Sequence, residues 1–356
     1  MSTERLASIR AFLQTTGNDA FLLTAREDIR WACGFSGSSG ALLITDNDAT
    51  LFTDGRYADQ APSESRGVSV NIHSGDLITA VGKAQGASTL SSVAIDGANT
   101  FVAVFRRIQS WSSKPHIRSY DAPFAALIAI KSEAELRCIR DAQRITDAVF
   151  AEILSIAKPG MTEHELAAEI VYRQLKHGAE GMSFDPIVAS GPNGARPHAR
   201  PTDRKFASGD LVVLDFGCFV DGYASDMTRT IGIGTPPPEA QRTYELVRYA
   251  QSAAQQAARS GMRACDLDGI ARHIIGEAGL DDAFPHSLGH GIGLRIHEAP
   301  KLSSTNQESL PDGAVVTIEP GVYIAGQFGV RIENAVVLHP GGCEALPESS
   351  TELVII

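Results

Sequence analysis

The chain has 356 residues, 43% hydrophobic and 21% charged, with a formal net charge of -11, long enough for two domains and a substantial core. That acidic balance argues against nucleic acid or an anionic membrane surface as the main partner, and no stretch approaches the ~18 apolar residues of a membrane span. Cys33, Cys138, Cys218, Cys265 and Cys343 are odd in number, widely spaced and without a Cys-x-x-Cys pair, which argues against a disulfide framework or zinc ribbon and favours a reducing cytoplasm.

The N-terminal residues carry Glu4, Arg5 and Arg10 among apolar positions at helical spacing, unlike the uninterrupted apolar run of a signal peptide. A helix is expected over 3–16, strands over 20–24, 41–45 and 49–53, a helix from Arg56, a strand over 68–72, a helix from Asp76, a strand over 93–96 and a helix over 101–111. This alternation predicts an α/β domain with a mixed sheet over residues 1–124. Its distinctive stretches, FSGSSGALLIT (35–45) and TDGRYADQA (53–61), read as loops beside strands. A break at 120–123 leads into a second region, 125–356. Capping boxes at Ser132/Glu135 and Thr162/Glu165 announce its first two helices, the second stopping near Gly178. A strand ends at Thr235-Pro236-Pro237-Pro238, and further helices are expected over 239–259 and 267–278. The order helix, helix, hairpin, repeated, predicts an α+β domain with internal duplication.

The two hairpins carry the chemistry. Asp215 follows Leu211, Val212, Val213 and Leu214, and Asp226 comes after a Gly-containing turn; Glu319 follows Val315, Val316 and Ile318, and Glu333 lies on the returning arm. Carboxylates in apolar strands are costly unless something charged compensates them, and two on adjacent arms repel unless protonated or bound to a cation. With period-2 alternation, Asp215 shares a face with Val213, Asp226 with Thr228, and Glu333 with Arg331. Residues 284–300, FPHSLGHGIGLRIHEAP, add His286, His290 and His297, with Gly289, Gly291 and Gly293 placed to allow close backbone approach. His198 lies in the Gly/Pro loop SGPNGARPHA (190–199). One histidine alone is ordinarily structural; three grouped with two carboxylate hairpins point to a site. Four carboxylates and an imidazole form a hard, oxygen-rich ligand set suited to Mn²⁺, Co²⁺ or Zn²⁺. They offer enough donors for two ions roughly 3.5–4 Å apart, which would acidify a bridging water and polarise a substrate carbonyl.

The order Asp215, Asp226, His290, Glu319, Glu333, with PHSLGHGIGLRIHEAP and GVRIEN around the last three, resembles the pita-bread metallopeptidase family of methionine aminopeptidase, aminopeptidase P and prolidase. The resemblance spans nearly all of 125–356, and the additional N-terminal domain and the SGPNGARPH loop resemble the proline-specific branch. It implies an α+β pita-bread catalytic domain preceded by a creatinase-like α/β domain. It further implies that Asp215 chelates one metal, Asp226 and Glu333 bridge two, and His290 and Glu319 bind the second. In this carry-over Glu319 shuttles a proton, His198 and His297 bind substrate and stabilise the oxyanion, and His286 lines the proline pocket. Arg331 supports Glu333 and a neighbouring carboxylate, with Tyr223 and Thr228 as further supports. A homodimer follows from the same resemblance, beside the two divalent ions, foremost Mn²⁺, expected from the ligand set and the cytoplasmic location expected from the cysteines.

The expected activity is hydrolysis of the N-terminal Xaa-Pro bond of peptides with proline at position 2, by attack of a metal-bridging hydroxide. The stretches 35–45 and 53–61 resemble those of small bacterial aminopeptidase P proteins. The alternative is an Xaa-Pro dipeptidase, which must recognise the free carboxylate after proline, with Arg295, Arg196 and Arg200 as candidates. A metal-free binding protein or creatinase-like hydrolase of this fold normally shows substituted ligands, whereas here the set is full.

Overall fold

The computed structural model describes residues 2–356 and divides into two compact units, one ending at Ala125 and the other spanning Ala126–Ile356. In the first unit Ala20–Leu23 lies inside a six-stranded sheet, antiparallel to Ala41–Thr45 and parallel to Ser92–Asp96. Ala49–Thr53 and Ser69–Ile72 extend one side, and His116–Tyr120 forms the other edge. All four residues of Ala20–Leu23 are buried, as expected of a strand covered on both faces. The first helix, Ser2–Thr16, buries Leu6, Ile9 and Leu13, the i, i+3, i+7 stripe of an amphipathic helix.

Three local expectations differ here. Helix Arg26–Cys33 is an addition; it buries Ile29, Trp31, Ala32 and Cys33, but eight residues are shorter than the window over which a helical period stands out. In place of a helix from Arg56 there is a 3₁₀ turn, Gly55–Tyr57, followed by the short helix Gln60–Glu64. The Asp54 side chain accepts from the Arg56 amide at 3.1 Å, a local bond that competes with helix propagation. His116–Tyr120, largely polar, is a strand because parallel pairing with Ser92–Asp96 makes it one, a case of tertiary context overriding propensity.

In the second unit, helices Glu133–Ile156 and Glu163–Lys176 both open with the expected capping boxes, and helices Pro238–Ala257 and Ala264–Glu277 follow later. The carboxylate segments are more elaborate than simple hairpins. Leu211–Phe216 pairs antiparallel with Met227–Gly232, and between them a small hairpin, Cys218–Val220 with Tyr223–Ala224, projects. Val315–Ile318 likewise pairs with Asn334–His339, and the nested hairpin is Gly321–Ile324 with Phe328–Arg331. The two halves are built alike, as the duplicated order of elements predicts.

Strand alternation fixes which side each residue faces. Val212, Leu214, Phe216, Met227 and Ile231 pack with Phe150, Ile153, Leu166 and Ile170 of the first helix pair. Val316, Ile318, Val336 and Leu338 pack with Tyr244, Val247, Leu267 and Ile275 of the second. Successive side chains point to opposite faces, so Asp215, Asp226, Thr228, Thr317, Glu319 and Glu333 fall on the faces away from the helices. Among the described residues, no helix is long and apolar enough to cross a membrane, and all five cysteines are free thiols.

Candidate metal centre

The inner faces of the two strand pairs bring the five expected ligands onto one cavity of about 610 Å³, lined by Asp215, Asp226, His290, Glu319 and Glu333. Asp226 is 4% exposed and Glu333 1%, and ligand atoms of Asp226, His290 and Glu333 all lie within 4.8 Å of one another. His290 Nδ1 lies 3.0 Å from the Gly291 carbonyl. A carbonyl only accepts, so Nδ1 carries the proton. Burial holds the His290 pKa below its ordinary value, and the neutral ring therefore presents a bare lone pair at Nε2. That lone pair faces Glu319 Oε1 at 3.3 Å and Asp226 Oδ2 at 3.6 Å, which are also acceptors.

Acceptors converging on one another without a donor require a proton or a cation between them. Burial raises the Asp226 pKa well above the carboxylate range, and Glu333, Asp215 and Glu319 add to it. Glu333 is raised in the same way by burial, then by Glu319 and Asp215, and burial lifts Glu319 to about 7. Asp215 Oδ1 and Glu333 Oε1 are buried with no hydrogen-bond partner among the described residues, although buried polar atoms ordinarily have one. The donor set, the unpartnered oxygens and the mutual repulsion together fit bound divalent cations.

A hydrogen-bonded frame holds the ligands from behind. Arg331, 4% exposed, donates from Nη2 to Asp215 Oδ2 at 2.6 Å, from Nε to Thr228 Oγ1 at 3.1 Å and from Nη1 to Tyr323 Oη at 2.7 Å. Thr228 in turn donates to Glu333 Oε2 at 2.7 Å. Thr317 Oγ1 accepts from the His290 amide at 3.0 Å and donates to Glu319 Oε1 at 3.1 Å. Such partners orient ligands and set their basicity. Tyr323 and Thr317 were not singled out from the sequence. The only signal for Thr317 was a hydroxyl in an otherwise apolar strand, and a tyrosine in a strand gave none.

His198, His286 and His297 also line the cavity. The His297 ring sits edge-on to His290, centroids 4.4 Å apart. His286 Nδ1 lies 2.9 Å from the Ser287 carbonyl and must donate, which leaves Nε2 to accept from the Tyr323 hydroxyl at 2.9 Å. Tyr223 is not brought to this cluster; its hydroxyl donates to Glu135 of the first capping box at 2.9 Å. Gly289, Gly291 and Gly293 are required for a reason other than close approach to a ligand. A Cβ at these positions would collide with the Thr317 carbonyl, the Ala299 carbonyl and the Glu298 carboxylate respectively, so they admit neighbouring protein. Of the candidate carboxylate-binding arginines, Arg200 lines the cavity, joined by Lys301; Arg196 and Arg295 do not.

Burial pushes the His286 pKa down from 6.5 to about 4. Between those values the unfolded chain takes up a proton that the folded chain refuses, so this residue makes stability fall as pH falls from 6.5 toward 4. Thermal melts of the chelated protein across that window should decline less steeply in His286→Gln than in wild type. Identical slopes would show that His286 titrates normally.

A buried set of hard ligands on two like-built strand pairs, opening into a cavity with additional histidines, defines a metal-dependent hydrolase. Residues 137–340 match the model for metallopeptidase family M24, and residues 5–127 match the creatinase/prolidase N-terminal domain. The chain is 36% identical over 353 residues to an Xaa-Pro dipeptidase of Pyrococcus furiosus, covering 99% of each. A Bacillus anthracis structure described as an Xaa-Pro dipeptidase superposes with a TM-score of 0.97 at 34% identity, covering 100% of both chains. A Thermotoga maritima structure described as an X-Pro aminopeptidase gives a TM-score of 0.91 at 36% identity, covering 99% of this chain and 100% of that one. The chain therefore belongs to metallopeptidase family M24, with a creatinase-type N-terminal domain and a pita-bread catalytic domain, and is a metalloexopeptidase.

Proposed function

We propose that the protein hydrolyses the bond between a first residue and proline, with Xaa-Pro dipeptides as its preferred substrates. This departs from the aminopeptidase expected from the sequence. The observation that carries it is the exposed Arg200 and Lys301 on the wall of the same cavity as the ligand cluster, two cations available to a free carboxylate following proline. The dipeptidase names of the Pyrococcus and Bacillus relatives support the same reading. The aminopeptidase reading, supported by the Thermotoga relative, is the second.

Asp215, Asp226, His290, Glu319 and Glu333 would hold two divalent ions, with Mn²⁺ foremost given the oxygen-rich donors. When bound, the ions supply Lewis acidity toward the scissile carbonyl and the attacking water. Glu319, on the cavity wall, takes the proton of the attacking water and delivers it to the departing proline nitrogen. His198 and His297 donate N–H groups to the developing oxyanion, each worth several kcal/mol in sites of this kind. His286, fixed by Tyr323, faces the pyrrolidine ring. An Xaa-Pro amide has no N–H, so the site must recognise ring shape and carboxylate rather than an amide hydrogen. A homodimer belongs to this reading on resemblance alone, and a cytoplasmic location on the cysteine pattern.

The test is one purified, Mn²⁺-loaded sample assayed on Xaa-Pro and on Xaa-Pro-Yaa-Zaa of the same first residue. The dipeptide should be preferred by about 100-fold or more in kcat/KM, the scale set by a paired charge that longer peptides leave unmatched. Equal or better hydrolysis of the tetrapeptide would establish the aminopeptidase reading instead.

A further inference from the structure

Glu163, the first residue of helix Glu163–Lys176, is completely buried and has no part in the chemistry described above. Its carboxylate is saturated. Oε1 accepts from the Ser190 amide at 2.7 Å, the Ser190 hydroxyl at 2.6 Å and Asn193 Nδ2 at 3.1 Å. Oε2 accepts from Asn193 Nδ2 at 3.1 Å, the Thr202 amide at 2.9 Å and the Thr202 hydroxyl at 2.7 Å. Every donor belongs to the segment from Ser190 to Thr202, whose middle carries His198.

Two features make this more than ordinary packing. The 3₁₀ turn Gly191–Ala195 of this segment packs on strand Phe328–Arg331, but the stretch from Arg196 to Thr202 that follows is irregular backbone, normally the more mobile part of a fold. The Glu163 carboxylate closes it like a clasp, joining its first residue to its last. The backbone reinforces the closure: the Glu163 and His164 amides donate to the Arg204 and Thr202 carbonyls, both at 3.1 Å. Midway, the Pro197 carbonyl accepts from Arg331 Nη1 at 3.2 Å, so the residue before His198 is tied to the ligand frame. Charge-assisted bonds to a carboxylate are about twice as strong as neutral ones, and here they are sheltered from water.

We propose that Glu163 is a positioning residue that holds the 190–202 segment so that His198 stays aimed into the cavity. The proposal rests on the reading of His198 as a substrate-contacting group. Misplacement by about 1 Å can cost about 100-fold in rate, so Glu163→Gln should lower kcat/KM on Xaa-Pro by about that factor. The decisive comparison is a double-mutant cycle. In a His198→Ala/Arg200→Ala background, where neither substrate-facing side chain of the segment remains to be aimed, Glu163→Gln should change kcat/KM by no more than about twofold. The same large loss in both backgrounds would show that Glu163 supports the fold as a whole and would overturn the proposal.

Hydrogen–deuterium exchange supplies a readout independent of activity. Glu163→Gln should speed exchange across 191–202 while strands Leu211–Phe216 and Val315–Ile318 keep their protection; unchanged exchange in 191–202 would refute the anchoring. Should Glu163→Gln fail to fold, Asn193→Ala removes two of the six bonds and should give the same pattern at smaller amplitude. A wild-type protein inactive on every Xaa-Pro peptide would defeat the functional reading, and exchange alone would then decide the anchoring.

Discussion

Asp226→Asn should abolish turnover, by at least about 10³-fold as for loss of one member of a catalytic unit, while the chelated variant melts no lower than chelated wild type. Both halves follow from the same electrostatics. Without a cation, Asp226 is buried at 4% exposure among Glu333, Asp215 and Glu319, and its pKa is raised well above the usual range. An amide of the same shape removes one of the mutually repelling groups, so the empty site loses nothing it depends on. With Mn²⁺ the order reverses. A ligand binding only the folded state stabilises it by about 2.7 kcal/mol at a hundred times its Kd, and wild type should show that gain. Asn offers one carbonyl oxygen and an NH₂ that cannot ligate, so its Mn²⁺-dependent rise in Tm should largely disappear. Thermal melts with and without Mn²⁺, beside an Xaa-Pro assay, measure both. A variant that keeps wild-type turnover, or gains as much from Mn²⁺, would remove Asp226 from the metal centre.

How far the sequence reveals this site depends on how each residue earns its place. Asp215, Asp226, Glu319 and Glu333 stand out because a carboxylate beside an apolar strand is energetically anomalous, and period 2 tells which face it takes. The supporting frame is not anomalous in that way. Tyr323 is an ordinary strand residue, and its partners His286 and Arg331 are identified only when two separate segments meet. Glu163 reads as a helix-start acid, and the loop it clasps begins at Ser190; the helix dipole explains an acid in the first turn without requiring anything further. Tyr223, equally plausible from its position, is claimed by Glu135 instead. The nested hairpins were hidden for a related reason. Each apolar run shows a strand but not its partner, so Val315–Ile318 pairing with Asn334–His339 rather than Phe328–Arg331 is a tertiary decision. Peptide-length preference is least legible, because exposed cations such as Arg200 and Lys301 look like ordinary surface until a cavity is drawn beside them.

Arg331→Ala should have the opposite effect on the metal-free protein, destabilising it by about 3–5 kcal/mol, the cost of leaving one partner of a buried ion pair uncompensated. The Arg331 and Asp215 side chains are 5% and 11% exposed and meet at 2.6 Å. Removing the guanidinium also takes a donor from Thr228, Tyr323 and the Pro197 carbonyl. Asp226→Asn replaces a carboxyl group that burial and its acidic neighbours already push toward the protonated form, whereas Arg331→Ala subtracts the positive charge that partly balances the site, so only the second should lower the chelated melt. Arg331→Lys should recover only part of the loss, because one ammonium cannot reach four acceptors that a planar fork spans. Mn²⁺ should restore more stability to Arg331→Ala than it adds to wild type, since it places positive charge beside the carboxylate left unpaired. Turnover should stay low even then, because the Thr228–Glu333 and Tyr323–His286 contacts lose the group that joins them. If chelated Arg331→Ala melts with wild type, the Arg331–Asp215 pair is not what balances the empty site, and the charge argument for both variants fails together.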